Sequence, residues 1–561
     1  MIKTVLILGG YGVFGGRLAK RLAQDSRMTV IIAGRNLEEA TAFAKGTRLI
    51  SAVLDVTAVD LLEQIRALSP DVIIDAVGPF QDYSSTPYRV AEIAIQIGAH
   101  YLDLSDDAEF TEGIAHLDES ARIAGVTVLS GVSSVPAISS VVASDLSRDL
   151  DDIHSVETVI LPGNRAPRGM SVMRSILGQV GRPLHLWQAN RFIVRPAWSD
   201  LREYDLSVPG TPALPTRRAS LIGAPDLILL PKTLKARSVT FRAGLELSIM
   251  QFGLWMLHWL PRLKLTRSLI FLVPLLKWLA DRLEPLGSDR GGMLVEVTGT
   301  TRHGLGVRRR WTLIVEQGDG PYIPGVPAQA IIQKLRAGEC KTGARPCLGA
   351  FTIAELDAGF EGLSISTGSL QQPIQTVFES ILGDDYLALP KSLQDLHQVL
   401  YKRRWQGSAQ IERGANLFAR CAGWIAGFPP ASKSTPVEVE MTRTAKGETW
   451  IRQFGKKRFR SHLSAVRHRG ELILQERFGW MTFGIRLRRD AEALHFPVST
   501  GRVFGIPLPA FMVPKSETRE FVDEQGRSCF DVRISTPMTG LIAHYHGYLT
   551  PAEPDSGSQF M

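Results

Sequence analysis

The chain opens with apolar and polar blocks in tight alternation. Ile2 to Leu8 is an apolar run rich in β-branched residues, which reads as a buried strand. Gly9-Gly10-Tyr11-Gly12-Val13-Phe14-Gly15 interrupts it, and Arg17-Leu18-Ala19-Lys20-Arg21-Leu22-Ala23 then sets apolar residues at helical spacing. Met28 to Ala33 is a second apolar run. Further strands are expected at Leu49 to Leu54, Asp71 to Val77, His100 to Leu104 and Val126 to Leu129. Helices are expected at Thr86 to Gly98 and Glu109 to Gly125. Six strands alternating with helices predict an α/β domain over residues 1–145, built on a doubly wound parallel sheet.

Residues 146–375 have a different texture and predict an α+β second domain. Ser155 to Ile160 alternates as in a mixed sheet, and Met293 to Thr301 pairs naturally with Arg308 to Glu316. Gly320-Pro321-Tyr322-Ile323-Pro324 leads into an alanine-rich helix. Inside this region, 245–285 is an apolar helical segment. Ser248 to Leu260 holds no Asp, Glu, Lys or Arg, and Ser268 to Leu276 is a second apolar run. Trp255, Trp259 and Trp278 punctuate them, with Arg262, Lys264, Arg267 and Lys277 nearby. Neither run reaches the ~18 residues that cross a bilayer. The segment is either a helix pair buried between domains or at a homodimer contact, or a hairpin lying in a membrane interface.

Residues 380–555 predict a β-rich antiparallel domain. Leu389-Pro390 precedes a helix carrying His397, Ser408 to Arg413 is a short strand, and Leu417 to Trp424 a short helix. Strands follow at Val437 to Arg443, Thr449 to Phe454, Lys457 to Leu463, Glu471 to Arg477 and Met481 to Arg488. Gly447, Gly455, Gly470 and Gly479 sit at the turns between them. His544 and His546 share one strand face, but no third ligand stands at a metal-binding spacing, so no metal is expected.

The glycine turn carries the first chemistry. A glycine triplet between a strand and a helix is a dinucleotide-binding fingerprint. Gly10 lets the chain leave the strand, Gly12 lets a diphosphate approach the backbone, and Gly15 lets the helix pack on the strand. Free N–H groups at the helix start then hold the phosphates. The second strand ends Ala33-Gly34-Arg35-Asn36, with no carboxylate before Glu38. Arg35 suits the forked hydrogen bonds of a 2′-phosphate, so NADP is read ahead of NAD. Asp55, after the third strand, can meet the adenine.

Composition changes the picture in three ways. At 561 residues the chain exceeds one core, and 44% hydrophobic with 21% charged content is globular. Four spread cysteines, Cys340, Cys347, Cys421 and Cys529, make no metal spacing and read as reduced thiols of a cytoplasmic protein. The opening strand is not a secretory leader. The net charge of +8 is concentrated: residues 391–561 hold 25 Lys and Arg against 16 Asp and Glu. That excess suits an anionic membrane, an acidic partner or a solvated surface. No nucleic-acid motif accompanies it.

The chain resembles the saccharopine dehydrogenase-like oxidoreductases. The resemblance rests on Gly9 to Gly15, Ala33-Gly34-Arg35, Val77-Gly78-Pro79-Phe80, His100-Tyr101-Leu102-Asp103-Leu104 and Gly131 to Pro136, and covers roughly residues 1–370. It implies a Rossmann domain, NADP-dependent hydride transfer, a nicotinamide near Val77, Gly78 and Pro79, and a small-molecule substrate, amino-acid-like or lipid-like, between two domains. The remaining cofactor contacts fall on Gly10, Tyr11, Gly12, Val13, Phe14, Gly15, Arg35 and Asp55. The last third resembles a domain of unknown function found fused to such reductases, on Trp450, Arg452, Phe454-Gly455, Phe459, Ser461, Glu476-Arg477-Phe478-Gly479, Tyr545 and Gly547. That resemblance implies no activity.

Hydride transfer needs one proton donor or acceptor besides the cofactor. Tyr101, Asp103 and Ser133 are the candidates, with Ser105 and Ser134 beside them. Arg165, Arg168 and Arg174 could grip a carboxylate, and no Tyr-x-x-x-Lys dehydrogenase signature is apparent. Three classes stay open: a reductase, a dinucleotide-binding regulator without catalysis, and a membrane-surface lipid-binding protein.

Overall fold

Strand β1 (Thr4–Leu8) is enclosed on both sides, as its unbroken apolar run requires. The computed structural model describes residues 2–554 apart from 81–85, 168, 418, 421–422, 424–426 and 537–539. Helix α1 (Gly15–Leu22) and strands β2 (Thr29–Gly34), β3 (Ile50–Val53), β4 (Val72–Asp75), β5 (His100–Asp103) and β6 (Thr127–Ser130) follow. All pair in parallel, in the order β6-β5-β4-β1-β2-β3. That is the strand order of dinucleotide-binding sheets, with its switch point beside β1. Successive side chains go to opposite faces: Leu6, Ile73 and Val128 enter one core, Ile7, Ile74 and Leu129 the other.

A seventh strand, Gly343–Pro346, pairs in parallel outside β6. It comes from far beyond residue 145. Its four residues, Gly-Ala-Arg-Pro, show no apolar pattern, and its proline is tolerated because the strand is an edge. The helix expected over Glu109 to Gly125 is three pieces instead: Ala108–Gly113, a 3₁₀ turn Ile114–Leu117, and Asp118–Ile123.

The second sheet is mixed, as the alternation of Ser155 to Ile160 implied. Seven strands run in the order Arg202–Tyr204, Arg217–Leu221, Val239–Ala243, Leu150–Leu161, Gly291–Thr301, Gly306–Val315 and Ile365–Pro373. Its one parallel contact joins Val239–Ala243 to Leu150–Leu161. The two sheets share an apolar core in which Ile7, Val132, Val156, Val295 and Ile331 belong to one cluster. At its margin the buried Asp226 carboxylate accepts bonds from the hydroxyls of Ser139 (2.8 Å) and Thr158 (2.9 Å).

From Lys402 to Pro551 the chain forms one antiparallel sheet of thirteen strands. Ala493–His495 pairs with Lys515–Val522, and the next strand, Val498–Val503, pairs with Met481–Ile485. One stretch of chain therefore ties the two ends of the sheet together. The sheet curls around Trp405, Met441, Trp450, Leu474 and Leu494, and Phe378 and Leu393 from two short helices join them. Half of the expected helix Leu417 to Trp424 lies outside the described residues, Cys421 included.

The apolar segment is helical at Ser248–Leu257, Trp259–Arg262 and Val273–Leu283. Burial between domains accounts for only one of its sides. Leu254, Leu257 and Leu276 pack on the shared core, while Ile249 and Phe271 are 71% and 67% exposed. Among the described residues no helix is long and apolar enough to cross a membrane.

Candidate cofactor site

Gly9 ends β1 at φ +70°, a left-handed conformation that glycine adopts without strain. Its N–H donates to Ala33 O at 2.8 Å, tying the loop to β2. A Cβ on Gly10 would stand 2.7 Å from Ile7 O and 2.8 Å from the Ile32 side chain. A Cβ on Gly15 would stand 2.5 Å from Gly9 O. Neither position has room for a methyl group, so α1 lies hard against the turn. Gly12 differs. It is exposed at the apex, and a Cβ there would meet Gly9 O alone, at 3.1 Å.

The start of α1 is left open to an anion. Phe14 occupies the cap position without a side-chain bond, the first turn has no acidic residue, and Lys20 and Arg21 sit in the last turn. The unsatisfied N–H groups and the positive end of the dipole therefore face the loop. A glycine cradle of this shape fits a diphosphate.

Tyr11 acts from the side. Its ring covers Gly34 and its hydroxyl accepts the Asn36 N–H at 3.1 Å, pinning the loop to the end of β2. Arg35 is exposed on the same edge. Asp55 accepts from Thr57 N (2.9 Å) and Thr57 Oγ1 (2.7 Å), and these bonds, aided by the Arg35 charge, hold its carboxyl below the usual range. After β4, Val77 N donates to Asp75 Oδ1 at 3.0 Å, and Gly78 and Pro79 follow on the carboxyl edge. A Cβ on Gly9 would meet Ala76 O at 2.8 Å, so this loop and the glycine loop touch.

The second region closes over the turn. A Cβ on Gly169 would be 3.7 Å from Val13 Cγ2, the Arg17 guanidinium lies 5.7 Å from the Tyr322 ring centre, and Gly325 packs on Leu18. Arg17 Nη1 also donates to Val13 O at 2.8 Å. Gly9 and Gly34 stand in the motifs that carry the resemblance but were given no cofactor contact, Tyr322 was placed only in a loop, and Gly169 had no local signal; Gly34, Gly169 and Tyr322 become neighbours of this region only through long-range contacts.

The proton-transfer candidates separate. Asp103 is fully buried where β5 and β6 end. Its Oδ1 accepts from Gly131 N (2.8 Å), Ser130 Oγ (2.9 Å) and Ser105 N (3.0 Å), while Oδ2 has no partner. Burial, reinforced by the Asp75 charge, outweighs these bonds and pushes its pKa up to about 7. Ser133 is half-buried in the next loop, its N–H donating to Gly131 O at 2.8 Å. Tyr101 does not fit a place at the reacting centre: it is 1% exposed within the helix-side core, because its position on β5 faces Ile73 and Val128 rather than the cleft. Arg165 is committed to Pro285 O at 3.3 Å, Arg174 is exposed, and Arg168 lies outside the described residues. His544 bonds Asp531 at 2.9 Å, and the described residues contain no cluster of three or more metal-ligating side chains.

Residues 5–129 match the saccharopine dehydrogenase NADP binding domain, and residues 389–549 match a domain of unknown function, DUF4166. Among solved structures, the chain is similar to the apo saccharopine dehydrogenase (L-Glu forming) of Saccharomyces cerevisiae, at 15% identity, over 66% of this chain and 100% of that one, with a TM-score of 0.47. It is also similar to a myo-inositol dehydrogenase of Corynebacterium glutamicum (11% identity, 65% and 99% covered, TM-score 0.32). A probable dehydrogenase of Thermotoga maritima matches at 10% identity (66% and 98% covered, TM-score 0.31). The match over residues 5–129 supports NADP as the cofactor of the site, and with it the coarse class of an NAD(P)-dependent oxidoreductase; the match to DUF4166 adds no activity.

Proposed function

We propose that the protein transfers hydride between NADP and a carbonyl, imine or activated double bond of an amino-acid-like or lipid-like small molecule. The observation that carries this reading is the open, glycine-lined start of α1, with Arg35 exposed on the same edge. NADP, when bound, supplies the hydride chemistry. The chain binds and orients. The Gly12 N–H is spent on Gly9 O at 2.9 Å, so the backbone amides of Val13, Phe14 and Gly15 hold the diphosphate, Arg35 forks onto the 2′-phosphate, and Val77, Gly78 and Pro79 border the nicotinamide end.

Asp103 acts as a positioning residue. One oxygen holds the loops after β5 and β6 through Ser105 N and Gly131 N, which sets the place of Ser133. The Ser133 hydroxyl is the candidate to pass a proton at the substrate.

Gly12→Val is expected to abolish NADPH binding in a fluorescence titration while circular dichroism stays native, because the site of change is exposed. An unchanged Kd would remove the diphosphate from this loop. Arg35→Asp is expected to shift preference from NADPH toward NADH by about tenfold or more, the loss of a charge-assisted forked contact. An unaltered ratio counts against the 2′-phosphate assignment. Tight NADPH binding with no turnover on any extract fraction would favour a regulator instead.

A further inference from the structure

We propose that residues 248–286 form a docking surface for an anionic lipid bilayer, seated beside the cofactor cleft. From Leu247 to Ala280 the chain has no Asp or Glu, yet carries Arg262, Lys264 and Arg267, besides Lys277, which pairs with Asp281 at 2.6 Å. The segment is held from beneath. Gln251 is fully buried, accepting from Leu245 N at 2.9 Å and donating to Ser220 Oγ at 3.0 Å, and Leu269 and Val273 are enclosed. It is a fixed platform, not a loose strap.

The outward side of that platform is apolar. Twelve of the exposed large apolar side chains among the described residues fall in this short stretch, Ile249, Met256, Leu265 and Phe271 each at least 67% exposed. A surface helix of a soluble domain turns polar residues outward, and contiguous apolar patches mark contact with a partner or a membrane. Here the outward side of Ser248–Leu257 is apolar, and that of Val273–Leu283 is apolar up to Asp281 and Arg282. The helices of ten and eleven residues are too short to cross a bilayer, so they would lie in its plane. Arg262 stacks over Trp259 at 4.5 Å and Arg282 over Trp278 at 5.3 Å. Tryptophan with a cation on its face suits the headgroup level.

Charge selects the occupant. The carboxylates of the surface, Asp281 and Glu284, lie at its far end, where Asp281 pairs with Lys277 at 2.6 Å, so a two-fold contact centred on Arg262, Lys264 and Arg267 would set like charges against each other. Anionic headgroups neutralise the same cations.

The patch also adjoins the cleft. Ile270 packs 3.6 Å from a Cβ placed on Gly178, in helix Met170–Gln179, and Gly169 just before that helix faces Val13 of the glycine loop. One helix thus lies between the lipid-facing surface and the cofactor loop. The corollary that the substrate is lipid-like rests on the hydride-transfer reading; the docking surface does not.

The test is flotation of the full-length protein with vesicles of phosphatidylcholine alone or mixed with phosphatidylglycerol. Binding is expected to the mixed vesicles and to weaken in high salt. Phe271→Glu with Leu275→Glu, and separately Arg262→Glu with Arg267→Glu, are expected to cut the bound fraction about tenfold or more. NADPH affinity should stay unchanged in both, which reports that the fold and the cofactor site are intact. Absence of binding to mixed vesicles, or equal binding to uncharged ones, overturns the proposal. So does a concentration-dependent dimer in sedimentation that Phe271→Glu dissociates. Lost flotation with intact NADPH binding concerns docking alone, whereas lost NADPH binding in Gly12→Val concerns the cofactor alone.

Discussion

Gly15, at the start of α1, and Gly479, in a hairpin of the C-terminal sheet, are under opposite constraints. A Cβ on Gly15 would lie 2.5 Å from Gly9 O, yet the residue needs no left-handed backbone. Around Gly479 nothing stands within 4 Å, but φ is +55°. The N-terminal glycine is there because no side chain fits, the hairpin glycine because its turn needs the sign of φ. Gly479-Trp480 and Arg469-Gly470 are two-residue loops between paired strands, where positive φ matches the strand twist. The same letter therefore reads as a ligand cradle in one region and as a turn in the other, and space decides which.

The buried carboxylates repeat the contrast. Burial pushes Asp103 and Glu448 alike up to about 7. Asp103 ends a strand at the edge where loops converge, with Oδ2 free. Glu448 is locked in the C-terminal core, accepting from Trp450 Nε1 at 2.8 Å and Val377 N at 3.4 Å. One keeps an oxygen without a partner; the other is bonded on both.

The sharpest break of this comparison is Gly15→Ala, expected to cost about 3 kcal/mol in denaturant unfolding and to weaken NADPH binding together with it. A native midpoint would mean that the turn has slack.

Next comes pH. Both carboxyls have folded pKa values above the unfolded value of about 4, so their contribution to stability is full below that value and is lost as pH rises through about 7. Asp103→Asn keeps an oxygen for the three donors and removes the ionisation cost. It is expected to flatten the fall in Tm between pH 5 and pH 8 and to gain about 2 kcal/mol over wild type at the upper end. Glu448→Gln must set an NH₂ against a donor, so about 1 kcal/mol of its gain is cancelled. Equal pH profiles for the two variants would erase the difference between the sites.

The smallest effect belongs to Gly479→Ala, about 1 kcal/mol from the left-handed backbone alone, with NADPH affinity untouched. A changed affinity would tie the C-terminal sheet to the cofactor site.

Much of this molecule was legible from short-range pattern. The run Ile2 to Leu8, the glycine turn and the Arg17 to Ala23 helix each carry their signal within a few residues, and the structure repeats that order. The hairpins between Val437 and Ile485 were legible for the same reason, since alternation and turn glycines are local. Gly343–Pro346 was not, because an edge strand of four residues needs no apolar face. The burial of Tyr101 in the core was not legible either, because alternation along β5 says which residues share a face but not what that face meets.

What the amino-acid order determined by itself was the nucleotide-binding turn, the parallel sheet behind it and the antiparallel sheet at the far end, since each follows from neighbours in the chain. Only the tertiary structure decided that Asp103 is sealed from water, that Gly169 lies against Val13 of the glycine loop and Tyr322 against Arg17 of α1, and that the tryptophan-rich helices keep an apolar side uncovered. Those outcomes depend on which distant surfaces meet, and desolvation and steric exclusion act only once they have met.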